Sequence, residues 1–170
     1  MHTSRRILDA TAEVLSRNGV SKLSLSDVAL QAGVSRPTLY RWFASKEELI
    51  EAFGNYETEL FENGIANAVA GLRGTEKLDA ALRFIVDFQQ SYSGVRMIDI
   101  EPEQVIARIA RVLPIMRARL EHLMSGPDAA VAAATTTRVV ISQYVVRSDD
   151  ADQFLAQVRH AAGIKTRVAR

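Results

Sequence analysis

The sequence predicts an all-α protein with an N-terminal three-helix head, and three features predict it. Apolar residues recur at three- and four-residue spacing along most of the chain. Serines stand three residues before an acid at two candidate helix starts, Ser24 with Asp27 and Ser45 with Glu48. At that spacing a hydroxyl caps a backbone N–H and the acid reciprocates. No alternating apolar and polar run of useful strand length occurs, although Thr135 to Val146 is rich in β-branched residues that also suit a strand.

The first helix follows Ser4, carries Ile7, Leu8, Thr11, Val14 and Leu15 on one face, and stops at Asn18-Gly19. Residues 24–49 then read SLSDVALQAGVSRPTLYRWFASKEEL. Leu25, Val28, Ala29 and Ala32 line one side of a short second helix, and Gly33 supplies the left-handed stop that an abrupt turn needs. Ser35 opens a third helix with Pro37 in its first turn, where a missing N–H costs little. Leu39 and Phe43, four apart, face inward, which leaves Arg36, Thr38, Tyr40, Arg41 and Trp42 outward. Such a set suits a DNA-recognition helix: arginine bridges a guanine edge, threonine touches a thymine methyl, and tyrosine or lysine holds phosphates. An ordinary helical corner with a solvated basic face would carry the same caps and turn.

From Ser45 a longer helix runs through Leu49, Ile50, Phe53, Leu60, Phe61, Ile65 and Val69 to the Gly71 to Gly74 break. Its first turn belongs to the head and its remainder to a body, so the two are mechanically joined. Leu78, Leu82, Ile85, Phe88 and Tyr92 mark the next helix, closed by Ser93-Gly94. Pro102 starts another, with Val105, Ile106, Ile109 and Val112 as its apolar side. Pro114 predicts a break or kink near Leu113, before Ile115, Met116, Leu120, Leu123 and Met124. After the Ser125-Gly126-Pro127 punctuation, helices from Pro127 to Val146 and from Asp150 to Gly163 finish the chain. The expected division is residues 1–48 for DNA binding and 49–170 for ligand binding and dimerisation.

A chain of 170 residues, 48% of them hydrophobic, buries a sizeable core. Its net charge is only +1, but residues 1–46 hold seven Lys or Arg against three Asp or Glu, and the rest fourteen against seventeen. A basic head on a mildly acidic body fits DNA contact through the N-terminal part. The absence of cysteine excludes disulfides and thiolate metal sites. No uncharged apolar run approaches the roughly 18 residues that cross a bilayer, and the start lacks an apolar leader core, so a soluble, cytoplasmic protein without membrane contact is expected.

Catalytic sets are hard to assemble. Glu57 with Glu59 and Glu101 with Glu103 are paired acids, but residues two apart on a helix point to different sides. His122 and His160 lack ligand partners one helical turn away, and neither a phosphate loop nor a nucleophile elbow occurs. No enzyme activity, metal or cofactor is expected. The main rival to DNA binding is a helical protein-interaction module, which accounts for the body but not for the outward residues of the third helix.

The ordered features of Arg5 to Phe53 resemble the DNA-binding head of TetR-family transcriptional regulators: Asn18-Gly19, Leu25-Ser26-Asp27-Val28-Ala29, Ala32-Gly33-Val34-Ser35, Thr38-Leu39-Tyr40 with Phe43, and Ser45-Lys46-Glu47-Glu48-Leu49. Pro37 and Trp42 depart from residues frequent in the family. The resemblance implies a repressor that binds an inverted-repeat operator as a homodimer and responds to a ligand. It implies phosphate contacts by Tyr40 and Lys46, with Ser35, Arg36, Pro37, Thr38, Arg41 and Trp42 at or near the major groove. For a small, mainly apolar effector the candidates are Phe53, Tyr56, Phe84, Phe88, Tyr92, Met97, Met116, Leu120 and Met124, although core filling accounts for most of the same residues. The last two helices carry an apolar excess in Val131, Val139, Val140, Ile141, Tyr144, Val145, Phe154, Leu155 and Val158. As in the resembled family, these are expected to meet their two-fold mates in a four-helix interface.

Overall fold

The computed structural model describes residues 2–91, 98–146 and 151–164. Eight helices follow in order among these residues: α1 His2–Asn18, α2 Leu25–Gln31, α3 Arg36–Trp42, α4 Lys46–Ala68, α5 Gly74–Ser91, α6 Pro102–Leu123, α7 Ala129–Val145 and α8 Ala151–Ala161. The segment Thr135 to Val145, rich in β-branched residues, is helical. Its interior decides the matter: Ala133, Thr136, Thr137 and Val140 bury one helical stripe, and tertiary burial outweighs a modest propensity.

The chain divides into two compact units, Met1–Glu62 with Tyr92–Glu103, and Asn63–Ser91 with Gln104–Arg170. The first unit thus extends well past residue 48, and a functional boundary at that point remains a proposal. The core of this unit gathers Ile7, Leu8, Val14 and Leu15 of α1, Val28 and Ala29 of α2, Leu39 of α3, and Leu49 and Phe53 of α4. Helix α1 begins at His2, ahead of Ser4.

In the second unit α5 and α7 pack against α8, burying Leu78, Leu82, Ile85, Ala133, Val140, Phe154 and Val158. A bidentate ion pair fastens α8 to α5, with Arg159 Nε and Nη2 donating to Asp79 over 2.6 and 2.9 Å. Gln89 Nε2 reaches the Val140 carbonyl at 3.2 Å. Its Oε1 and the Thr136 hydroxyl are buried without a hydrogen-bond partner among the described residues.

Of the break or kink expected near Leu113, α6 shows no break. It passes through Pro114 as one helix from Pro102 to Leu123. Proline removes one backbone bond and crowds the preceding turn. The many bonds of a 22-residue helix hold it across that defect. Its covered stripe runs through Val105, Ile109, Leu113, Met116 and Leu120, at helical spacing. Ile106, Val112 and Ile115 fall off that stripe and are exposed by 53, 40 and 52%.

Candidate nucleic-acid interface

Three caps and a glycine turn set the direction of α3. Ser24 caps α2 by accepting from the Ser26 N–H at 3.2 Å, one residue earlier than the Asp27 expected from the spacing. Gly33 takes φ +62° at the turn, where Arg6 Nη2 of α1 donates to the Ala32 carbonyl over 2.7 Å. The Ser35 hydroxyl accepts from the Thr38 N–H at 3.3 Å and lies 2.9 Å from the Thr38 hydroxyl. Ser45 accepts from the Glu48 N–H at 3.1 Å, and the Glu48 carboxylate reaches back to the Ala44 N–H at 2.7 Å. The acid therefore reciprocates one residue before the serine.

Leu39 and Phe43 are buried, as the four-residue spacing predicts. Arg36, Pro37 and Arg41 are exposed, and Tyr40 and Trp42 remain 53 and 43% exposed, large values for aromatic side chains. Ser35 is exposed and Thr38 half-buried. One short, doubly capped helix therefore offers two guanidiniums, a phenol and an indole to solvent on the same element.

The head's cations are not equivalent. Arg6 braces the turn, Arg17 Nη2 donates to Gln31 Oε1 over 2.8 Å, and Arg5 Nε donates to the Tyr56 hydroxyl over 3.1 Å. Lys46 is half-buried and donates to the Ser21 carbonyl over 3.1 Å. Lys22, Arg36 and Arg41 are exposed. The outward cations of α3 were legible as helical phase, whereas the internal bonds of Arg5, Arg6 and Arg17 had no signal in local spacing.

A family profile described as bacterial regulatory proteins, tetR family, matches residues 7–53. That is the stretch which builds this head. The head is of the TetR type. Among curated relatives, an HTH-type transcriptional regulator of Bacillus subtilis, YvdT, is 33% identical over 82 residues, 48% of this chain and 41% of that one. The chain thus spans less than half the length of this relative in the match. Among solved structures, a TetR transcription regulator from Haloarcula marismortui has a TM-score of 0.71 at 18% identity, covering 95% of both chains. SmeT, solved as a complex with triclosan, has a TM-score of 0.68 at 15% identity, covering 96% of this chain and 90% of that one. At such identities the likeness shows the fold.

The expected effector residues are divided between the two units. Phe53 is buried in the first unit, and the Tyr56 hydroxyl there donates to Asp9 at 2.6 Å while accepting from Arg5. Burial, then the bond to Asp9, raises the Tyr56 pKa, so the phenol stays protonated. Phe84 and Phe88, with centroids 5.7 Å apart, lie in the second unit with half-buried Met116 and Met124 and buried Leu120. A side chain on Gly64 would overlap the Phe84 ring, so the ring fills space that the glycine leaves. Tyr92 and Met97 lie outside the described residues. A recess of about 480 Å³ occurs in the head, open to solvent and lined by Arg6, Asp9, Glu13, Leu30 and Gln31 among others. Its charged wall does not match an apolar effector.

The expected dimer residues also separate. Val140, Phe154 and Val158 are interior to the second unit, Val139, Ile141 and Leu155 are half-buried, and only Val131 and Val145 are exposed, by 67 and 40%. The Tyr144 side chain lies outside the described set. An apolar excess read from sequence counts core and surface together. Here α7 and α8 bury much of it against each other and α5.

Proposed function

We propose that this chain is a homodimeric TetR-family repressor that binds an inverted-repeat operator and releases it on binding a small, mainly apolar effector. The observation carrying the DNA reading is the exposed α3 face of Arg36, Tyr40, Arg41 and Trp42 on a helix fixed by the Ser35 cap and the Arg6 brace. In this reading α3 enters the major groove, Arg36, Thr38 and Arg41 read bases, Tyr40 holds a phosphate, and Lys46 holds one when it leaves the Ser21 carbonyl. Ser35, Pro37 and Trp42 shape the contact.

Effector binding is supported by the likeness to SmeT, solved with triclosan, and by residues of the second unit. Phe84, Phe88, Met116, Leu120 and Met124 offer apolar surface, and Gln89 Oε1 and Thr136 Oγ1 are buried polar atoms lacking partners among the described residues. A ligand with one polar group among apolar ones suits that inventory. It shifts operator occupancy only through its unequal affinity for two states of the dimer, a coupling of about 1–3 kcal/mol.

Selection of bound duplexes from a random pool tests the reading. An inverted repeat with half-site centres one turn apart, roughly 34–36 Å, or a multiple of it is expected. On the selected duplex, Arg36→Ala and Arg41→Ala should each relax base preference and cost about 1–3 kcal/mol, while Tyr40→Phe should weaken all sequences alike. Failure of the folded protein to enrich any sequence would leave the protein-interaction module as the better account.

A further inference from the structure

The carboxylate of Glu101 caps the loop between α1 and α2. It accepts from the Val20 N–H at 2.7 Å and from the Ser21 N–H at 2.8 Å, across about eighty residues of sequence. Gly19 makes room for it: at φ +73° it suits the turn, and a Cβ there would come within 2.7 Å of the Glu101 carboxyl carbon. Lys46 donates to the carbonyl of the same Ser21 at 3.1 Å. Burial raises the Glu101 pKa, but the Ser21 and Val20 donors and the Lys46 charge outweigh it and leave it lowered, so the carboxylate is ionised at neutral pH.

Glu101 therefore holds the loop by its amides, and Lys46 holds the loop by a carbonyl while lying in the field of the acid. Lys46 is also the residue assigned to a DNA phosphate, and an ammonium bonded to a carbonyl beside a carboxylate is partly neutralised for any outside anion. Glu101 directly precedes Pro102, where α6 starts. The family profile ends at residue 53, so this acid lies outside the matched head.

We propose that Glu101 is a positioning residue that withholds Lys46 from DNA phosphates, so that displacing Glu101 strengthens the sequence-independent part of DNA binding. The proposal rests on the DNA-binding reading above. It makes the junction before α6 a restraint on the head: with the carboxylate seated, Lys46 stays on Ser21, and with it gone the ammonium turns outward.

The test compares the wild-type chain with Glu101→Gln, Lys46→Gln, the double variant and Glu103→Gln. The probe is a labelled duplex that the wild type selects from a random pool, titrated at 50 and 200 mM salt. Glu101→Gln should bind more tightly at low salt. Each head that gains a phosphate contact steepens the salt slope by about 0.9, so its advantage should shrink about threefold per head between the two salts. Lys46→Gln should erase the gain in the double variant. Glu103→Gln removes the same charge two residues away and should leave the slope as in wild type, which separates the contact from a change in net charge. Thermal unfolding of every variant monitors the fold. A Glu101→Gln protein that is folded but binds with the wild-type slope, or more weakly, overturns the proposal and leaves the acid as a brace of the loop. Failure of the wild type to select any duplex removes the DNA-binding reading itself, and this inference with it.

Discussion

At the scale of the residue, partners decide what each charge does. Asp79 shows it most directly. Hydrogen bonds from Arg159 lower its pKa, burial opposes them, and Arg83 at 3.0 Å adds to the lowering. Its side chain and that of Arg159 are only 25 and 17% exposed, so solvent screens the pair incompletely. Asp79→Asn should cost about 1–3 kcal/mol at pH 7, as expected for a broken charge-assisted pair, measured by urea unfolding. Because the folded pKa lies below the unfolded value of about 3.9, the contribution is present above that pH. It is lost as pH falls through the folded pKa, where wild type and variant should converge. A constant difference down to pH 2 would assign the loss to packing. Asp79 and Arg83 stand four apart on α5, but the stronger partner is eighty residues away. The same holds for Glu101, whose i+2 relation to Glu103 said nothing of Val20 and Ser21. Caps such as Ser35 were legible because donor and acceptor are three residues apart.

At the scale of the element, apolar phase, caps and punctuation placed the helices of the described residues, and an error entered where one backbone defect was set against the length of a helix. Pro114 is the instance. The loss of one N–H predicted a break or a kink, and the break does not occur: α6 runs on to Leu123 because the turns on both sides close their own bonds. Pro114 is solvent-exposed, so its ring contributes little packing. Pro114→Ala should therefore raise stability, by up to about 3 kcal/mol, since it restores the missing donor and improves helix propensity. A rise in the urea midpoint with unchanged m-value would show it. A fall would mean that the proline's local geometry is required for the packing of α6. The caps and the Gly33 turn placed α2 and α3 closely for the opposite reason, as each device acts within one turn of chain.

At the scale of the whole molecule, an assembly has to be built from surface that the folded unit leaves uncovered. Five residues of α7, Val131, Thr135, Arg138, Ser142 and Val145, follow one another at helical spacing, and all are exposed. They span 15 residues, whose 14 rises make about 21 Å of helix. An antiparallel crossing of two such faces sets Val131 of one copy against Val145 of the other and leaves Arg138 nearest the two-fold axis. There its aliphatic stem covers apolar surface while the guanidinium reaches water. This narrows the expected interface to the part of the apolar excess that remains outside the core. Val131→Asp combined with Val145→Asp should yield a folded monomer by sedimentation, because both sites are already wet in the single chain. Phe154→Asp should instead unfold the second unit, since that ring is 1% exposed. If dimerisation aligns two heads on one operator, the monomeric variant should lose about 10²-fold or more in affinity for the selected repeat, the penalty for making the second contact intermolecular. Its binding to an isolated half-site should stay as in wild type. A double variant that sediments as a dimer would move the interface off this face of α7.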